Sequence, residues 1–236
     1  MSLPQKNQSI DKDMEVERHF KLTEETIAHC GHTLHRIMAT RDSLHAKKGD
    51  KGGWIETEDN LQDDAWVDGE AKVWDDATVG GRALVSGRAE VYYDARVHGS
   101  ASVCDSARVY GYAKVYGSAR VRGSAHVYGS AEVYGKACVC DSAAVYSKAR
   151  VFGMAMIYGS AQVYGSAEVY DMARVYDKAQ VYDEAEVYGC AQVLGYAQAF
   201  GKIWLNGTLI VCSSDPEGNE TPDLEKRAKK KAEGAA

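Results

Sequence analysis

Residues 107–134 read ARVYGYAKVYGSARVRGSAHVYGSAEVY, and this stretch decides the fold. Sampling every sixth position from Val67 to Val193 returns Val at each step except Ile157. That makes 22 aliphatic residues in one register, with Ala two positions before every one. A helix repeats every 3.6 residues and a strand every 2. A sustained six-residue period instead calls for a solenoid, in which short strands recur by stacking.

Ala and Val are two apart, so in a strand both side chains point the same way. Val fills the core, and Ala fits where the wall bends and space is short. The residue between them and the residue after Val face outward. The Gly or Asp that follows, as at Gly111, Gly117 and Asp171, makes the corner, because a left-handed backbone costs little for Gly and is tolerable for Asp.

Three such walls close a triangular coil of 18 residues, and the outward residues support that number independently. Sorted modulo 18, one column reads Glu56, Trp74, Tyr92, Tyr110, Tyr128, Tyr146, Tyr164, Tyr182, Phe200. The second reads Gln62, Gly80, His98, Tyr116, Tyr134, Phe152, Tyr170, Tyr188, Asn206. The third reads Asp68, Ser86, Cys104, Arg122, Cys140, Tyr158, Tyr176, Leu194, Cys212. A constraint of period six alone would not separate these columns. About nine coils at ~4.8 Å give a prism of roughly 40 Å.

The register extends beyond the obvious repeats. Ile55 and Leu61 precede it, and Ala199, Leu205 and Val211 follow it. Ile203 and Leu209 replace the usual Ala, as suits a last coil that closes the core. No Pro falls between Pro4 and Pro216, as strands paired on both sides require. The β-helix is therefore expected over residues 53–212. Residues 1–17 read as a disordered tail and 213–236 as a flexible polar and basic tail.

Residues 18–52 read as a small β-hairpin cap, too small to stand alone and so packed on the solenoid. Its strands are expected at 19–22, 26–29 and 33–37, with turns at Glu24-Glu25 and Cys30-Gly31-His32. The glycine-rich stretch at 47–56 lacks the Lys-Ser/Thr ending of a phosphate loop and is read as turning the chain into the first coil.

Net charge is −6, and residues 53–212 carry 14 basic and 20 acidic side chains. No basic domain exists to bind nucleic acid. No apolar run approaches the roughly 20 residues of a membrane span. The N-terminal segment carries no signal-peptide core, and the six cysteines follow no disulfide framework. A reduced, cytoplasmic protein is expected.

The Val-to-Ala spacing, as in Val115…Ala119, resembles the hexapeptide-repeat proteins over about two thirds of the chain. That resemblance implies an all-β, single-stranded, left-handed parallel β-helix. The segments Phe20-Lys21-Leu22-Thr23, Leu34-His35-Arg36-Ile37, Lys47-Lys48-Gly49-Asp50, Gly52-Gly53-Trp54-Ile55-Glu56 and Asn60-Leu61 are similar to those of the YdcK-like proteins of bacteria and prophages. That family implies no established activity, and its transferase label derives from the fold. The resemblance also implies a phage or prophage origin and admits two further readings. One is an acyltransferase with a catalytic His at an intersubunit cleft; the other is a virion component.

No catalytic residue, metal ligand or cofactor is assigned. His98 and His126 occupy ordinary repeat positions, and no insertion from 53 to 212 builds a substrate loop. His29, Cys30, His32 and His35 form the densest metal-type cluster but match no zinc spacing and are read as strand and turn residues. Cys138 and Cys140, with Cys104 and Arg122 near them, are read as small residues on a non-aromatic wall. The binding residues are instead taken to be Trp74, Tyr92, Tyr110, Tyr128, Tyr146, Tyr164 and Tyr182 in one column and Tyr116, Tyr134, Tyr170 and Tyr188 in another. Tyr joins a large ring to a hydroxyl and suits protein interfaces. The expected function is a non-enzymatic scaffold or protein-binding module. It would contact a protein partner or a second copy, as a homodimer or homotrimer, through an aromatic wall.

Overall fold

Each Val of the register from Val67 to Val193, and Ile157 among them, has no exposed surface. The paired alanines are equally enclosed, Ala107, Ala125 and Ala131 at 0%. One continuous core runs up the axis, built from the two inward positions of each hexad. The structure, a computed structural model, describes residues 18–213. The tails expected at 1–17 and 213–236 lie outside the described residues, Ser213 excepted.

The described residues form an all-β parallel solenoid of about nine turns, 18 residues per turn. Register is strict: Val109 pairs with Val127, Val115 with Val133 and Val121 with Val139. Three parallel sheets make the three walls. The first runs from Lys72–Val73 to Gln198–Ala199, the second from Thr78–Val79 to Trp204–Leu205, the third from Trp66–Val67 to Ile210–Ser213. Most of these strands are two residues long because a corner follows every wall. Inter-coil hydrogen bonds continue through the corners, as in Ser106 N–H to Gly123 O (2.8 Å) and Tyr112 N–H to Gly129 O (2.7 Å). Backbone pairing is thereby kept around the whole coil.

Corners have a left-handed backbone: Gly117 has φ +72° and Asp171 φ +57°. An added Cβ at Gly117 would lie 3.0 Å from the backbone N of Gly135 in the next coil. At six Asp corners the carboxylate accepts from the next coil's corner N–H. Asp105 does so with Gly123 (2.9 Å) and Asp141 with Gly159 (3.0 Å). That bond offsets the strain of a non-Gly residue at positive φ.

The N-terminal end is covered by β1 (Phe20–His29) and β2 (His32–Ala39), an antiparallel hairpin. β2 in turn pairs antiparallel with β3 (Lys51–Ile55), and β3 pairs parallel with Lys72–Val73. Two sequence readings need correction here. Glu24-Glu25 is not a turn: β1 continues through it, with a register shift between Leu22 and Thr26. No Gly or Pro interrupts the strand there, and Glu25 is held by Lys51 (2.9 Å) and Arg36 (3.7 Å). Gly52 and Gly53 do not turn the chain either; both lie inside β3. A Cβ on Gly52 would meet Val67 O at 2.5 Å, and one on Gly53 would meet Ala71 O at 2.6 Å. These glycines let β3 lie directly on the first coil. At the other end Ile203 is 7% exposed, and Leu209 is half-buried and packed against the core, so of the two bulkier residues Ile203 closes the last coil more fully.

Candidate functional site

The tyrosine columns form stacked ladders. On the first wall the rings run Trp74, Tyr92, Tyr110, Tyr128, Tyr146, Tyr164, Tyr182, Phe200, with successive centroids 4.5–5.3 Å apart. Planes stay within 12° of parallel. The second wall stacks His98, Tyr116, Tyr134, Phe152, Tyr170 and Tyr188 at 4.8–5.1 Å. A third, shorter stack joins Tyr158 and Tyr176. Coil spacing and ring-stacking distance coincide, so ring faces are consumed within the column. Edges and hydroxyls are left facing outward.

Those hydroxyls follow a second rule. The residue 16 positions on lies just before Val in the next coil and also points outward. Tyr146, Tyr164 and Tyr182 donate to Gln162 (3.2 Å), Gln180 (3.3 Å) and Gln198 (3.2 Å). On the second wall the acceptors are carboxylates: Tyr116 donates to Glu132 (3.3 Å) and Tyr170 to Glu186 (3.2 Å). Burial, then the neighbouring carboxylate, pushes the Tyr116 and Tyr170 hydroxyls up to about 12. Burial and its neighbour Tyr110 push Tyr92 up to about 12 as well.

The two walls therefore differ in charge. Before Val the second wall carries Lys114, Glu132, Arg150 and Glu168, ion-paired at 3.0 Å and 2.7 Å. Arg150 also donates to the Tyr134 hydroxyl at 3.0 Å. The first wall carries Ala144, Gln162, Gln180 and Gln198 at the same position through its C-terminal half. From Tyr128 to Phe200 its face is thus uncharged, and the column residues are half-buried up to an exposed Phe200. Trp74 is different. It is 4% exposed, covered by the cap against Leu34 and Trp54, with His29 edge-on at 4.9 Å. It presents no face to a partner.

The cap histidines and Cys30 do not gather at one point. Cys30 and Gly31, both at positive φ (50° and 90°), form the two-residue loop joining β1 to β2. Cys30 is exposed, His35 pairs with Thr26 and Ile55 along the sheet, and His29 lies 3.5 Å from Glu90. His32 instead meets two carboxylates from the solenoid. Its Nδ1 is 3.0 Å from Glu56 Oε1 and its Nε2 3.3 Å from Asp75 Oδ1. Sequence reading missed both partners. Glu56 carried a signal, as the non-aromatic first member of the first-wall column.

His98 stacks on Tyr116 at 5.1 Å, and His126 meets the edge of Tyr110 at 6.3 Å. Neither forms an ion pair among the described residues, and burial holds both below the usual imidazole range. Cys104 and Cys140 sit on the third wall. Burial pushes both thiols up, Cys140 to about 11, so they stay protonated at neutral pH.

No family model matches this sequence, and no curated protein shows significant similarity to it. The class is thus defined by architecture: a parallel β-solenoid consistent with a hexapeptide-repeat β-helix, bearing aromatic ladders on its walls. Among the described residues no helix is long and apolar enough to cross a membrane.

Proposed function

We propose that the protein is a non-enzymatic scaffold whose tyrosine-bearing walls make protein–protein contacts, with the C-terminal half of the first wall as the contact surface. The observation that carries this reading is the uncharged Tyr/Gln face from Tyr128 to Phe200 on a wall stiffened by ring stacking. Interface cores are depleted of charge and enriched in aromatic residues. Rigid Tyr side chains give contact area at little entropic cost.

A second copy of the chain is the first partner to consider. Hydroxyl and carboxamide groups both donate and accept, so this face is complementary to itself, and being neutral it does not repel a copy. The rim supplies charges of both signs at Lys148, Asp183 and Glu184. From Tyr128 to Phe200 the face runs four coil steps, about 19 Å at ~4.8 Å per coil. The hexapeptide-repeat resemblance supports repeated-surface assembly, and the YdcK-like segments fit a cap.

The test is sedimentation of the full chain beside a Gln162→Lys, Gln180→Lys double variant. That variant keeps every ring and places like charges at the centre of the face. Association in the parent and a monomer in the variant support the reading. A monomeric parent, or an unchanged mass in the variant, overturns self-association. Stabilisation by acetyl-coenzyme A in a thermal-shift experiment would instead favour an acyltransferase.

A further inference from the structure

The geometry points to a divalent-metal site where the cap meets the solenoid, held by His32, Glu56 and Asp75. These residues come from three places in the chain: the start of β2, the residue that follows β3 in the first coil, and a corner of the second coil. Each offers one ligand atom, and the three atoms lie within 4.8 Å of one another. Ligands of one ion with bonds of about 2.0–2.2 Å lie at most about 4.4 Å apart, so small side-chain shifts bring these three atoms onto one ion.

The carboxylates are fixed from behind, which separates this group from a chance meeting of surface charges. Glu56 accepts the Asp75 backbone N–H on Oε2 (2.9 Å) and turns Oε1 to His32. Asp75 accepts the Tyr93 N–H on Oδ2 (3.1 Å) and turns Oδ1 to His32. Asp75 holds φ +56°, and its carbonyl is gripped by the Asn60 amide at 2.9 Å. Asn60, 2% exposed, also accepts the N–H groups of Glu56 (3.1 Å) and Thr57 (2.8 Å). One buried side chain thus sets both carboxylate-bearing residues. Outer contacts of this kind orient ligands in metal sites.

The chemistry selects the ion. One imidazole and two carboxylates suit first-row divalent ions such as Zn²⁺, whereas Mg²⁺ and Ca²⁺ favour all-oxygen sets. A neutral imidazole with two carboxylates matches a charge of +2. The three side chains are 23–31% exposed, which leaves the remaining coordination positions to water. In the ion-free form the ring is hydrogen-bonded to Glu56 through Nδ1 and lies 3.3 Å from Asp75 Oδ1 through Nε2. An ion would bind one ring nitrogen in place of its proton, with the carboxylates turning to the same ion. Bound there, it staples the hairpin to the first two coils.

The test is zinc titration of the chelator-treated full chain by calorimetry, with Co²⁺ absorption as a second readout. Asp75→Asn and His32→Gln are the variants. Asn tolerates a left-handed corner and keeps an acceptor for Tyr93 N–H, so Asp75→Asn should fold. One ion per chain is expected, with a thermal midpoint that climbs with free zinc and binding weakened at least about tenfold in both variants. The Co²⁺ complex should lack a thiolate charge-transfer band. No uptake by the parent chain, equal uptake in both variants, or a thiolate band that moves the ion to Cys138 and Cys140 would each overturn the assignment.

Discussion

The ring of Tyr164 lies face to face with that of Tyr146, centroids 4.9 Å apart and planes within 5° of parallel. The same ring meets Tyr182 on its other side at 4.9 Å. The solenoid's rise per coil brings aromatic rings to their preferred stacking distance, so a backbone repeat becomes a side-chain lattice. The lattice stiffens the wall and also hides the ring faces. A partner meets edges, hydroxyls and carboxamides.

Tyr164→Leu keeps most of the apolar volume and loses two stacked neighbours. At about 0.5–1.5 kcal/mol per aromatic pair, it should destabilise the chain by about 1–3 kcal/mol in urea unfolding. Tyr164→Phe keeps both stacks and loses only the hydroxyl bond to Gln180 (3.3 Å), a change of about 1 kcal/mol. Equal losses in the two variants would show that stacking contributes little.

The corner at Gly117 gives a backbone test. With φ +72° and the next coil's Gly135 N 3.0 Å from an added Cβ, Gly117→Ala should cost about 1–2 kcal/mol from the left-handed conformation alone. Gly117→Asp should cost less. Its carboxylate can take the Gly135 N–H, as Asp105 takes that of Gly123 (2.9 Å). Denaturation midpoints ranking Asp below Ala would contradict this account of the corners.

In the core, Val127 and Ala125 are both wholly enclosed. Val127→Ala removes two carbons, at about 0.8 kcal/mol per buried methylene plus a cavity term, so about 2 kcal/mol is expected. Ala125→Leu overfills the bend and should cost about 1–3 kcal/mol or more. A neutral Ala125→Leu would mean that the bend has spare room.

Much of this fold is legible in sequence because each coil repeats the same physical problem. Val127 needs the neighbours that Val109 and Val145 provide, so the core wrote itself as a six-residue register. Tyr128 needs a ring one coil away, so the walls wrote themselves modulo 18. The Tyr146–Gln162 bond follows the same arithmetic at 16 residues and could have been found that way. The cap obeys no period. Trp74 reads as one more wall aromatic, and only the hairpin lying over it removes it from the surface. His32 reaches Glu56 and Asp75 because β2 pairs antiparallel with β3, and a register between non-repeating strands leaves no mark in spacing. The strand running on through Glu24-Glu25 was hidden for the same reason.

Titration offers a check on the ladders. Tyr92, Tyr116 and Tyr170 are pushed up to about 12, against about 10 for a free Tyr. Between those values the unfolded chain releases protons that the folded chain keeps. Stability is therefore full below about pH 10 and falls as pH rises towards 12. Ultraviolet titration should resolve a late class containing Tyr92, Tyr116 and Tyr170. A single transition near 10 with the chain still folded would contradict the packing described for the hydroxyls.

The most direct test of the central claim is the sedimentation mass of the full chain beside its Gln162→Lys, Gln180→Lys variant, both confirmed folded by circular dichroism. The neutral first-wall face predicts an associated parent and a monomeric variant. A parent that stays monomeric, or a variant that associates equally well, would contradict it.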